Sequence, residues 1–384
     1  MALHFPVDDL KARQKRVLQE MARRDLDAML LFRQESMYYL TGYDTMGYIS
    51  FQAAILTADG QFTLLTREPD RRAARMTSII EDVRIYDDHP DINPAEILSE
   101  IAVELVGSGK RFGVEYDSFG LSAKRANMVE TAFAGKAELV EATDLVADLR
   151  LIKTPGEIKY VRKAAEIADA CLNVAMDIVK PGLTEGELMG AMHNKMFEMG
   201  GDYAASRWIL GTGEHAMLVR HFTGHHNVIQ ETDQVQLEFG AAYLHYHGCL
   251  FHTLYVGSVT ERQKDLRKLS IEAFEAAKEA CKPGNPVSAM FDAYRGVAEK
   301  AGERDCALNG CGYSIGIAYP PTWMEGAFIF RGNDRIIEPG MVFFPHMVFL
   351  DTDAMATGCA GATLLVNETG SESLSKIPHT LQVL

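Results

Sequence analysis

The stretch Gln236-Leu-Glu238-Phe-Gly240-Ala-Ala-Tyr243-Leu-His245-Tyr-His247-Gly-Cys249-Leu-Phe-His252-Thr-Leu254 reads as a β-hairpin with an unusual inner face. Two-residue alternation sends Val235, Leu237 and Phe239 to one side and Gln236 and Glu238 to the other. The returning run places His245, His247 and Cys249 together on one face by the same period. Apolar residues would be cheaper to bury there, because a carboxylate or imidazole taken out of water without a partner costs free energy. Seven of the 12 histidines, His215, His221, His225, His226, His245, His247 and His252, fall between residues 215 and 252, so the enrichment is local. It marks the region where chemistry is expected.

Each of these residues has an ordinary reading beside the functional one. Glu238 either serves a proton-transfer or substrate-ammonium site or sits at a solvated sheet edge. The His-x-His pair can bind a metal, line a substrate pocket or be structural. Cys249 is a nucleophile or a small buried hydrophobe. His221 follows the strand-like Met217-Leu-Val-Arg220 and precedes a Thr-Gly loop, a common position for a general base. His346 falls in Met341-Val-Phe-Phe-Pro-His-Met-Val-Phe, where alternation groups it with Val342, Phe344 and Val348, so it needs a partner or a function. The segment Gly310-Cys-Gly-Tyr-Ser-Ile-Gly316 lacks the Lys-Ser/Thr of a phosphate loop, and its glycines suit a bulge or a close backbone approach.

Working outward, 384 residues suggest about two domains, with roughly 75% of the unfolded surface removed from water. The 38 basic and 53 acidic residues leave a net charge of −15, which repels phosphate backbones and anionic membranes. Nucleic-acid and membrane partners are therefore not expected. The 6 cysteines include no Cys-x-x-Cys pair and fit a reducing cytoplasm without disulfides. No segment reaches the ~18 apolar residues of a spanning helix.

Helical spacing from Asp8 to Arg24 opens the chain, with Asp8 and Asp9 as candidate caps. Strands are expected at 27–32 and on either side of the Asp59-Gly60 turn. Helices at 67–77, 94–107 and 121–133 alternate with strands at 83–86, 112–115 and 138–141, the pattern of an α/β domain ending near residue 145. Thr154 and Pro155 then start a helix. Residues 146–384 carry helices at 155–179, 185–199, 261–281 and 286–302. Strands are expected at 204–218, 235–254, 309–319, 341–350 and 362–367. The second domain is thus α+β, helices on a curved, largely antiparallel sheet.

Several segments together resemble the creatinase/aminopeptidase P/prolidase superfamily, the pita-bread fold. They are Tyr39-Leu-Thr-Gly-Tyr-Asp44, Leu149-Arg-Leu-Ile-Lys-Thr-Pro-Gly-Glu157-Ile, Lys282-Pro-Gly, Gly310 to Gly316 and Glu338-Pro-Gly-Met341-Val. The resemblance spans essentially the whole chain and implies a creatinase-like N-terminal α/β domain before a pita-bread catalytic domain. Metal-dependent members carry two Asp, one His and two Glu as ligands. Their positions fall on Glu238, Cys249, Tyr313, His346 and near Gly361, so none of the five is kept. The resemblance implies that His221, twelve residues before Asp233, is the family's catalytic His. Creatinase and ectoine hydrolase are the nearest types, although creatinase carries a Glu where Phe251 stands here.

The expected function is metal-independent hydrolysis of a C–N bond in a small polar nitrogen compound, an amidine, guanidine or cyclic amide, with no cofactor. His221 and Glu238 would be catalytic. His245, His247, Cys249, Tyr313, Trp323 and His346 would line the substrate pocket. The resemblance also implies a homodimer in which the partner's N-terminal domain, near Tyr43 to Tyr48, closes the site. Two alternatives stand beside this: a metal-dependent Xaa-Pro dipeptidase-like hydrolase or lyase with a rearranged site built from Glu238, His245, His247 and His346, and a non-catalytic binding protein on the same fold.

Overall fold

A computed structural model describes residues 3–220 and 226–384. The chain divides into two compact units, Met1–Arg150 and Leu151–Leu384. The expected junction near residue 145 lies inside a helix, Thr143–Leu151.

In the first unit α1 (Val7–Arg23) leads into β1 (Ala28–Leu31), α2 (Gln34–Thr41), β2 (Ala53–Thr57), β3 (Phe62–Arg67), α3 (Glu68–Thr77) and β4 (Asp82–Tyr86). It continues through α4 (Pro94–Val106), β5 (Lys110–Val114), α5 (Ala123–Phe133), β6 (Ala137–Glu141) and α6 (Thr143–Leu151). The strands form one mixed sheet in the order β4-β3-β2-β1-β5-β6. The Asp59-Gly60 turn joins β2 to β3 as its sequence predicts, with Gly60 at φ +91°. Two details differ from the sequence reading. Pro6 occupies the N-cap of α1, and Asp8 and Asp9 lie in its first turn, where they face the positive end of the helix. The helix α2 was not expected, because all its residues except Glu35 are buried and no polar face marks a helical period.

The second unit begins with α7 (Pro155–Ile178), held by a capping box between Thr154 and Glu157. After it come α8 (Glu185–Glu198), β7 (Ile209–Thr212), the hairpin β8 (Gln234–Tyr243) and β9 (Tyr246–Tyr255), α9 (Glu261–Ala280) and α10 (Ser288–Lys300). The chain finishes with β10 (Gly312–Ile315), β11 (Met324–Gly326), β12 (Val342–Asp351), β13 (Ala356–Ala362), β14 (Leu364–Val366), β15 (Ser371–Ser373) and β16 (Gln382–Val383). The main sheet runs β11-β10-β12-β13-β9-β8-β7 with every neighbouring pair antiparallel. The unit is α+β, as expected.

Helices α7 and α9 press on one face of this sheet. A Cβ on Gly248 would lie 2.4 Å from the Ala165 nitrogen of α7, and one on Gly358 2.4 Å from the Leu266 carbonyl carbon of α9. The residues of that face therefore belong to the core beneath α7 and α9. The strand expected over 204–218 shrinks to β7, followed by a 3-10 turn at Gly213–Met217. Strand β13, Ala-Thr-Gly-Cys-Ala-Gly-Ala, was missed because it carries few of the β-branched and aromatic residues that signal a strand. Among the described residues no helix is long and apolar enough to cross a membrane, and all six cysteines are free.

Candidate active site

Strand register assembles the site. Glu238 pairs with Phe251, Gly240 with Cys249 and Ala242 with His247 across β8 and β9. Phe251 pairs onward with Gly361 of β13, Gly361 with His346 of β12, and Phe344 of β12 with Tyr313 of β10. Side chains of paired residues share a face, so Glu238, Cys249, Phe251, His346, Phe344 and Tyr313 converge on the side away from α7 and α9. His252 points the other way, against His379 with ring centroids 4.4 Å apart, and takes no part in the site.

The face is aromatic and nearly dry. The His346 ring lies 6.0 Å from Phe251, 5.6 Å from Tyr313 and 5.4 Å from Phe344. Trp323 donates its indole N–H to the Tyr313 hydroxyl oxygen at 2.8 Å. Glu238 is 7% exposed, and burial pushes its carboxyl up from 4.5 to about 7, with the Arg220 charge pulling the other way. Burial holds the His346 imidazole down at about 4, and Arg220 pushes in the same direction. The Cys249 thiol is raised well above its ordinary value by burial and by the Glu238 charge, so it stays protonated. Arg220 was not singled out by sequence. It is an exposed Arg in an irregular segment, and only the field it exerts on Glu238, Tyr313 and His346 ties it to the site. At neutral pH the face thus holds one half-ionised carboxyl among neutral groups, with a cation nearby. Such a carboxyl can take a proton from water and return it.

Two of the expected pocket residues have other roles. His245 does not lie on the returning strand. With Leu244 (φ +50°) it forms the two-residue turn between β8 and β9 at φ +66°, and its ring stacks on Tyr319 at 4.2 Å. Left-handed φ at both turn residues matches the twist of a tight hairpin. His247 does lie on the site-side register but is fully buried and engaged at both nitrogens. Its Nε2 accepts the Ala205 backbone N–H at 2.9 Å, and its Nδ1 lies 3.3 Å from the Gly316 carbonyl. Burial holds it neutral, with its pKa lowered to about 4. His247 therefore fastens the segment before β7 and the segment after β10 to the hairpin and leaves no lone pair for a substrate or metal. Trp323 joins the same frame, donating its backbone N–H to Ser206 Oγ at 3.1 Å. His221 lies outside the described residues. Leu218 to Arg220 before it are not a strand, so the strand-end argument for His221 does not hold.

The five positions of the family's metal ligands provide a test of fit. Glu238 offers an oxygen donor, but Cys249 is a protonated thiol, Tyr313 already accepts the Trp323 N–H and His346 is a single neutral imidazole. Gly361 offers nothing, and a Cβ there would lie 2.9 Å from the His346 Cβ and 3.0 Å from the Phe251 Cβ. Among the described residues no three His, Cys, Asp or Glu side chains are grouped to hold a metal. This donor set does not fit a dinuclear centre for hard cations, which needs several carboxylates.

Known proteins agree with the fold across the full length. The sequence pattern of metallopeptidase family M24 matches residues 159–361, and that of the creatinase/prolidase N-terminal domain matches residues 13–152. The ectoine hydrolase of Halomonas elongata is 29% identical, with 100% of this chain and 99% of that protein covered. The Xaa-Pro dipeptidase of Pyrococcus horikoshii is 25% identical over 98% of this chain and 100% of its own length. Among solved structures, a recombinant prolidase from Thermococcus sibiricus superposes with a TM-score of 0.87 at 22% identity, covering 98% of this chain and 99% of its own.

Proposed function

This chain belongs to metallopeptidase family M24 and is a hydrolase, and we propose that it cleaves a C–N bond in a small polar nitrogen compound without a metal. The substrate is an amidine, guanidine or cyclic amide of the ectoine or creatine kind. The observation that carries this reading is Glu238, a largely buried carboxyl with a pKa of about 7 on the face where the donor set of the described residues does not suit a metal. Full-length similarity to an ectoine hydrolase supports it.

In this reading water attacks the carbon of the C–N bond while Glu238 takes its proton. The proton then passes to the departing nitrogen, with His221, next in the chain to Arg220, as the second proton-transfer group. Phe251, Phe344, Tyr313 and Trp323 exclude bulk water, which strengthens every charge interaction inside. Cys249 and His346 complete the wall as neutral groups. The working protein is a cytoplasmic homodimer whose partner subunit closes the site.

Metal-stripped protein is to be screened against ectoine, creatine and Xaa-Pro dipeptides, with amine, ammonia or urea release as readout and metal content measured in parallel. Turnover of a non-peptide member at a metal content far below one per chain is expected. Stoichiometric metal, with activity lost on chelation and Xaa-Pro dipeptides as the best substrates, would replace this reading with the dipeptidase one.

A further inference from the structure

The Trp323–Tyr313 bond restricts what Tyr313 can do. An indole N–H only donates, so the Tyr313 oxygen must be the acceptor of the 2.8 Å contact. The hydroxyl proton then points elsewhere, and no described residue accepts it. Tyr313 is 8% exposed and its ring is wedged edge-on between Phe328 at 6.2 Å, Phe344 at 6.0 Å and His346 at 5.6 Å, so the ring cannot swing away to find water. Trp323 is fixed in turn by Ser206 and lies over Gly240, where a Cβ would already stand 3.4 Å from the indole. The hydroxyl shares its face with Glu238, which has no hydrogen-bond partner among the described residues, and with His346, whose buried Nδ1 has none either. Among the described residues a buried donor and a buried carboxyl thus share one face of the sheet with no hydrogen-bond partner for either proton site.

We propose that Tyr313 is the hydrogen-bond donor to the carbonyl oxygen on the attacked carbon of a cyclic-amide substrate, its hydroxyl proton turned toward the face it shares with Glu238 because its oxygen is occupied by the Trp323 indole. This assigns Tyr313 a catalytic role and Trp323 a positioning one, and its catalytic consequence rests on the hydrolase reading above. For an amide, the water oxygen bonds to the carbonyl carbon, the C=O π pair moves onto oxygen against the Tyr313 O–H, and Glu238 takes the water proton. Collapse re-forms C=O and breaks C–N, and the nitrogen leaves with the proton that Glu238 held. Burial and the Glu238 charge keep the Tyr313 hydroxyl protonated throughout, so it can only donate.

The test separates binding from turnover. 2-Pyrrolidinone, a neutral cyclic amide with one strong acceptor oxygen, is titrated by NMR into the full-length protein and into Tyr313→Phe and Trp323→Phe. Wild type is expected to bind, Tyr313→Phe to bind roughly tenfold more weakly, and Trp323→Phe to lose about threefold because the hydroxyl is no longer held in one direction. One of the two indole N–H resonances moves in Tyr313→Phe. With a turned-over substrate, kcat of Tyr313→Phe falls about 10²- to 10³-fold with little change in KM. Wild type that binds no 2-pyrrolidinone, equal affinity in Tyr313→Phe, or an unmoved indole resonance overturns the assignment. Should Tyr313→Phe fail to fold, the Trp323→Phe affinity decides by the same criterion. Tyr313-dependent binding without turnover of any screened compound would instead sink the hydrolytic proposal and leave the donor in place.

Discussion

Glu238→Gln should change the pH dependence of stability, and the size follows from the site. The Glu238 carboxyl titrates at about 7 in the fold against 4.5 in the open chain because burial disfavours its charged form. A group whose pKa is raised by folding stabilises the fold below its unfolded value and loses that contribution as pH rises through its folded value. The wild type should therefore lose about 3 kcal/mol between about pH 4.5 and 7 from this residue, the equivalent of the rise in its pKa. Glutamine keeps the shape and cannot ionise, so the variant escapes the loss. Urea unfolding of both proteins at several pH values checks it. The variant's advantage over wild type should be absent near pH 4.5 and should grow by about 3 kcal/mol by pH 8. A difference that does not vary with pH, or one that moves in favour of wild type on the alkaline side, would refute the buried-carboxyl account and with it the proton-transfer role. The same variant should lose turnover by about 10²-fold or more, since an amide cannot accept the proton of water.

Arg220→Gln should raise the Glu238 pKa above about 7, because the lost cation had opposed the effect of burial. The corresponding limb of the pH–rate profile should then move to higher pH, and an unmoved or acid-shifted limb counts against the link. Lys153 and Glu325 form a buried ion pair, each side chain 1% exposed, under Gly316. Lys153→Met should cost about 3–5 kcal/mol in urea unfolding by removing the cation that compensates the buried carboxylate, and Lys153→Met with Glu325→Leu should recover most of it. If the double variant is no better than the single one, the pair is not the source of the loss. His247→Ala leaves the buried Ala205 N–H without its acceptor. A loss of about 2 kcal/mol is expected, read as a lower melting temperature, and a variant as stable as wild type would show that His247 does not hold that segment.

The sequence by itself carried the elements whose signals are local. The Asp59-Gly60 hairpin, the Thr154 cap with Pro155 at the first helical position, and the alternation of Val235 to Phe239 are each written within a few residues, where turn geometry and side-chain period act directly. The family resemblance in the sequence also implied that Cys249, Tyr313, His346 and a position near Gly361 stand where carboxylates and a histidine bind metal in metal-dependent members. Short-range signals misled where longer-range contacts decide. His245 alternates with His247 in the sequence, yet the turn claims it. The fully buried α2 and the small-residue strand β13 carry no pattern to read, because their neighbours in space supply the reason for their conformation.

Only the tertiary structure decided which face of the β8–β9 hairpin is packed by α7 and α9 and which carries Glu238, Cys249 and Phe251. It alone showed that His247 spends both nitrogens on backbone groups and that the Tyr313 oxygen accepts the Trp323 indole N–H. The pKa of Glu238 likewise depends on strands more than a hundred residues apart and on the charge of Arg220. Residue types are a property of the chain, whereas desolvation, hydrogen-bond direction and electrostatic field arise only when distant segments meet.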